Sequence, residues 1–151
     1  MFDKSIIGRS FPPFTIEVER GKIRELALAI GDENPIYSSK EEAQAAGYDD
    51  VPIYPTTPTT FTWWGRGSKI VGHLVSAGIN VMRVLHGEEE YEYLAPIHPG
   101  DTLTGVFTIV DGKTRQGAGG GSMDVITTEV QYTNQHGTPV LKARQVIIVR
   151  E

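Results

Sequence analysis

The chain has no cysteine among its 151 residues. That excludes disulfides and any cysteine-ligated metal centre. Histidine is scarce too: His73, His86, His98 and His136 are far apart, with no close ligand pair, so no metal and no other cofactor is expected. No apolar run approaches the length of a membrane span, and the start, MFDKSIIGRSFPPF, lacks the apolar centre of a signal peptide. A cytoplasmic protein without membrane contact is expected. Basic charge is also short, with 14 Lys and Arg against 19 Asp and Glu, a net charge of -5. The basic residues are scattered rather than clustered, which argues against nucleic-acid binding, where phosphate contacts need a basic patch. No Gly-Lys-Ser/Thr ending follows the glycine-rich GAGGGS at 117–122, so it reads as a hairpin loop rather than a phosphate cradle. No serine stands in a nucleophile-elbow pattern. No repeat and no linker divides the chain, and one domain over 1–151 is expected.

What is present falls into two unlike halves. Residues 14–18 read as a short strand. Ile23, Leu26, Ala27 and Ile30 then recur at i, i+3, i+4 and i+7, the apolar stripe of a helix, with Gly31 as its stop. A second short helix begins at Ser38 or Ser39, each with a glutamate three residues on, and ends at Gly47. In a third, Thr57 is placed to cap and Pro58 to occupy the first turn. It carries Phe61, Trp64, Ile70, Val71, Leu74 and Val75 and closes at Gly78. This is the most apolar helix. From residue 83 onward the pattern is almost entirely strand-like. Leu85, Tyr91 and Tyr93 share a face of 83–94, Leu103, Phe107 and Ile109 a face of 102–110, and Ile126, Val130 and Tyr132 a face of 123–133. The run 139–150 alternates less strictly and is expected to be covered on both faces. NQHG at 134–137 joins the last two strands as a hairpin. The acidic run Glu88-Glu89-Glu90 reads as a solvated strand face. Helices followed by a meander of long strands give an α+β plan, an antiparallel sheet with an apolar helix on its concave face.

One stretch carries chemistry. AIGDENPIYSSKEEA places Asp32, Asn34, Pro35 and Tyr37 just past a helix end. It resembles the hydratase motif of the MaoC-like (R)-specific enoyl-thioester hydratases and dehydratases. VLHGEEEYEYLAPIHPGDTL (84–103) and YTNQHGTPVLKARQVIIVR (132–150) resemble strands of that family's N-terminal-type, FAS1-like dehydratase branch. The resemblance implies a hot-dog fold, with the sheet wrapped around one long helix over 57–77. It implies an acyl thioester on coenzyme A or acyl carrier protein as substrate, and pairing with a like subunit through sheet edges. For the site it implies Asp32 as the group that activates water, Asn34 as its orienting amide and Pro35 as the residue that fixes the backbone. Backbone N–H groups near Thr59 and Thr60 would polarise the thioester carbonyl. Trp63 is expected at the cleft or the subunit contact, and Trp64 in the core.

One position departs from the motif: Tyr37 stands where the family has its catalytic histidine. A phenol with a pKa of about 10 supplies almost no base at neutral pH, whereas an imidazole near 6.5 can both take and give a proton. Two readings stay open. The chain is an impaired, substrate-binding subunit whose histidine-bearing sister does the chemistry, or it is an active hydratase in which another base, His86 first, replaces the histidine. A hot-dog module that holds an acyl group without transforming it is a third class. A thioesterase is disfavoured by the lack of any acid within 51–79. The hydratase geometry expects Asp32 and Asn34 at the mouth of an apolar cleft, with Tyr37 pointing in.

Overall fold

The strands are long because their alternation is long. In a computed structural model that describes residues 2–62, 69–117 and 120–150, strands β1 (Phe14–Glu17), β2 (Val84–Tyr93), β3 (Thr102–Gln116), β4 (Ser122–Thr133) and β5 (Pro139–Arg150) form an antiparallel sheet in the order β1-β3-β4-β5-β2. The NQHG hairpin sets the register of β4 on β5. Asn134 Oδ1 accepts from the backbone N–H groups of His136 and Thr138, both at 3.0 Å, and Gly137 takes φ +77°. The inner face is built as the alternation requires, with Leu103, Phe107 and Ile109 from β3, Ile126, Val130 and Tyr132 from β4, and Leu141 and Ile147 from β5.

Three one-residue bulges change the phase of this pattern. The extra residue is Gly87 in β2, Val110 in β3 and Val140 in β5. Each lets the side chains beyond it change face without a break in the strand. Leu85, Tyr91 and Tyr93 therefore do not share a face. Leu85 lies before the bulge, between the inward-facing Val84 and His86, and is 43% exposed. The weak alternation of the last strand has the same cause: Val140 and Leu141 are both buried because the bulge turns both away from solvent. The strand starting at Thr102 also runs further than its simple alternation suggests, since the pattern resumes after Val110 with Gly112 facing inward.

Against the sheet lie the helices. In α1 (Arg20–Ala29) Ile23 and Ala27 are buried, but Ile30 is the cap residue and half-exposed rather than part of the stripe. Gly31 follows at φ +76°, and the Asp32 N–H returns to the Ala27 carbonyl at 2.9 Å, closing the helix in a left-handed cap. Ser39, not Ser38, caps α2 (Lys40–Ala45): its Oγ accepts from the Glu42 N–H at 3.2 Å.

The expected single helix over 57–77 is represented by α3 (Pro58–Phe61) and α4 (Lys69–Ser76). The stretch that would join them, with Trp63 and Trp64, lies outside the described residues. Pro58 opens α3 as its spacing predicts, and Thr57 holds the N-cap position but makes no side-chain capping bond. Thr57 is itself helical (φ -50°, ψ -36°), and only its carbonyl works there, accepting from the Thr60 hydroxyl at 2.6 Å. Phe61 is fully buried and meets Tyr132 edge-on, with ring centroids 5.6 Å apart. Tyr132 in turn meets Phe14 edge-on at 6.0 Å. Gly105 sits beneath these rings. A Cβ there would fall 2.6 Å from Phe14 and 2.9 Å from Tyr132, so no larger residue fits.

Candidate active site

Between the inner face of the sheet and helices α3 and α4 lies a cavity of about 310 Å³. Most of its wall is apolar, from Ile70, Val71 and Leu74 on α4, Val81 and Val84 before and in β2, and Phe107, Val130 and Ile147 on the sheet. This size is at the small end of ligand pockets, which run from about 300 to 1,000 Å³.

A polar group interrupts that wall. Glu89 is its hub. Glu89 Oε2 lies 2.9 Å from His86 Nε2 and accepts from the Thr59 hydroxyl at 3.4 Å, while Oε1 accepts from the Tyr91 hydroxyl. His86 and Glu89 are three residues apart, which on a regular strand places them on opposite faces. The bulge at Gly87 puts both on the cavity side. Gly87 itself leaves little room, since a Cβ would lie 3.0 Å from the Val146 carbonyl oxygen. Deeper in, Tyr132 also lines the cavity. Its hydroxyl is buried and has no hydrogen-bond partner among the described residues. Burial, followed by the bond to Glu89, holds Tyr91 in its phenol form. Burial, followed by the charges of Tyr91 and Glu89, does the same for Tyr132.

The motif loop is built differently. Asp32 Oδ1 accepts from the Asn34 N–H at 2.9 Å, and Asn34 Oδ1 from the Ile36 N–H at 3.2 Å. These two side-chain bonds cap the short 3-10 turn Pro35–Tyr37. Pro35 is exposed, as is Asn34; Asp32 is partly buried. Tyr37 packs against the core and tilts onto Tyr54, with ring centroids 5.1 Å apart. Burial, then the nearby Asp32 carboxylate, raises its pKa and keeps it a phenol.

The structure thus brings His86 and Thr59 together at the cavity, while Asp32, Asn34 and Tyr37 are not among the described residues that line it. Thr60 spends its hydroxyl on the Thr57 carbonyl. Trp63 lies outside the described residues. Among the described residues no group of three or more His, Cys, Asp or Glu is arranged to hold a metal. Sequence reasoning missed Glu89, Tyr91 and Tyr132. Glu89 was hidden in an acidic run that reads as a solvated face, and the signal that could have exposed it is Gly87, a glycine inside a strand pattern.

Comparison with known proteins agrees with this architecture. A UPF0336 protein of Streptomyces avermitilis is 36% identical over 149 residues, covering 98% of this chain and 95% of that protein. A C-terminally truncated HadBC (3R-hydroxyacyl-ACP dehydratase) complex from Mycobacterium tuberculosis superposes with a TM-score of 0.72 at 25% identity, covering 95% of this chain and 96% of that one. A MaoC-like dehydratase gives a TM-score of 0.76 at 22% identity, covering 97% of this chain and 42% of that one. The antiparallel sheet with helices on one face is thus of the hot-dog kind found in MaoC-like dehydratases. Residues 5–143 match the FAS1-like dehydratase domain region, and the chain belongs to that family.

Proposed function

We propose that this chain, as one hot-dog domain, holds the acyl group of a 2-enoyl or 3-hydroxyacyl thioester within a hydratase or dehydratase complex. The thioester is carried by coenzyme A or acyl carrier protein, and the complete Asp/His pair comes from a histidine-bearing sister subunit. The observation that carries this reading is Tyr37. It occupies the motif-histidine position as a partly buried phenol, and the loop around it spends Asp32 and Asn34 on its own backbone. Such a residue donates a hydrogen bond but does not cycle a proton near neutral pH. The apolar cavity, with Thr59 in its wall, supports the acyl-holding role; the expected carbonyl donors do not, since the Thr59 and Thr60 N–H groups bond the Thr56 and Thr57 carbonyls. A cytoplasmic location belongs to the same reading.

Co-expression with a histidine-bearing hot-dog chain tests it. The two should elute as one complex on size exclusion and hydrate crotonyl-CoA. Asp32→Asn in this chain should leave the rate within about twofold, since a group outside the proton path has little transition-state stabilisation to lose. Loss of most of the activity in that variant would put Asp32 back into the chemistry.

One observation favours the second reading. His86 faces the cavity with its Nε2 held by Glu89, the arrangement of an oriented general base. In that case the isolated chain is itself a hydratase.

A further inference from the structure

His73, on α4, has no part in the site described above. Its imidazole stacks on Phe11, with ring centroids 4.5 Å apart and planes 29° from parallel, and lies 6.2 Å from Phe107 at 22°. Both phenylalanines are buried. The His73 Nε2 is buried too, and it has no hydrogen-bond partner among the described residues. Segment 8–11, which supplies Phe11, is fixed along β3. The Gly8 and Phe11 N–H groups donate to the Ile109 and Phe107 carbonyls at 2.7 and 3.0 Å, and the Ile109 N–H donates to the Arg9 carbonyl at 3.1 Å. From this segment the Arg9 guanidinium lies 4.9 Å from the Phe11 ring centroid, and its Nη1 donates to the Ser76 carbonyl, at the end of α4, at 3.4 Å. Arg9, Phe11 and His73 thus clamp α4 to the sheet.

A neutral imidazole suits this place and an imidazolium does not. A proton on Nε2 would create a buried donor with nothing to accept it. An aromatic face attracts a cation, but Phe11 already carries Arg9. The last turn of a helix also favours a cation, and there Arg9 has taken the Ser76 carbonyl. The charges that face the ring are positive, Lys69 from one turn earlier on α4 and Arg9 from segment 8–11, while β3 presents the apolar Phe107. Burial first, then Lys69 and Arg9, holds His73 below the usual histidine range.

We infer that His73 makes α4 an acid-sensitive wall of the cavity: neutral, it holds the helix on segment 8–11, and protonated, it releases the helix that carries Ile70, Val71 and Leu74. The inference concerns the wall rather than its occupant, so it stands apart from the acyl-thioester reading. Its sign follows from linkage. A histidine whose folded pKa is lowered stabilises the fold above its unfolded value, and that contribution is lost as the pH falls below it.

Hydrogen exchange of the Lys69–Ser76 amides at about pH 7.5 and about pH 5.5, corrected for intrinsic rates, tests it across the histidine range. In the wild type the protection of α4 should fall about threefold or more at the lower pH, as proton uptake favours the released helix. In His73→Phe, which keeps the ring contacts and takes up no proton, the protection should stay level. By NMR, the His73 ring of the wild type should titrate below about 6.5, the ordinary histidine value. No loss of protection in the wild type, an equal loss in His73→Phe, or a His73 ring that titrates at or above about 6.5 overturns the proposal.

Discussion

Purified alone and given crotonyl-CoA, the chain should turn it over about 10²- to 10⁴-fold more slowly than the complex with a histidine-bearing sister, the usual loss when a general base is missing. The reason lies in Tyr37. Hydration requires one group to take a proton from water as oxygen joins C3, and a proton to be delivered to C2. A phenol kept protonated by its surroundings can assist the delivery but not the abstraction. Under this reading His86→Ala leaves the low rate where it is. A brisk rate in the isolated wild type that His86→Ala abolishes would instead assign the chemistry to the His86–Glu89 pair and end the subunit hypothesis. Tyr37→His is the constructive variant. Any gain from it should remain far below a natural pair, because the groups around the new ring must also orient it, and Asp32 Oδ1 and Asn34 Oδ1 already accept from the loop's own backbone.

The largest effect on stability should come from Phe61→Ala, a loss of about 3–5 kcal/mol, the usual cost of truncating a fully buried aromatic. Folded domains have only about 5–15 kcal/mol in total. Phe61 is completely enclosed and joins α3 to the sheet through its edge-on contact with Tyr132, so its removal leaves a void beside an existing cavity. Urea unfolding should show the midpoint falling with the slope m unchanged. Phe61→Leu should cost less than the alanine variant, since it removes fewer buried atoms, though it still gives up the edge-on contact with Tyr132. A loss below about 1 kcal/mol for the alanine variant would mean that the helix collapses onto the sheet without strain.

Much of the fold is legible in the residues. The stripe of α1, the stop at Gly31, the cap at Ser39 and the hairpin at Gly137 all follow from local chemistry, because each depends on a few neighbouring atoms. Strand identity was legible for the same reason. What could not be read was phase. A bulge is one extra residue, and its location depends on which partner strand lies alongside; hence the face of Leu85 and the cavity-lining position of the exposed Glu89 are not legible. Thr57 makes no side-chain capping bond because its backbone is already helical, a consequence of the chain's approach from Tyr54, whose carbonyl accepts the Thr57 N–H at 2.8 Å. The motif loop was legible as a sequence resemblance. The sequence did not show that Asp32 and Asn34 would turn their acceptor atoms on their own backbone. Tyr132 was rightly read as core, yet nothing in the sequence marks its hydroxyl as unpaired.

The three bulges bear on which changes of chain length the sheet can absorb. Within a regular strand, deleting or inserting one residue turns every later side chain over and exchanges core for solvent. Whereas the Val140 carbonyl accepts from the Leu94 N–H at 2.9 Å, at Gly87 and Val110 the extra residue has no partner of its own across the ladder. Its deletion there restores ordinary alternation and leaves the same residues facing inward. Without Gly87, for instance, His86 and Glu89 become next-but-one neighbours on the same side. Relatives of this chain that differ by single-residue gaps inside their strands are therefore expected to carry those gaps at Gly87 and Val110 rather than at the fully buried Val140, so that length drifts while the interior keeps its composition.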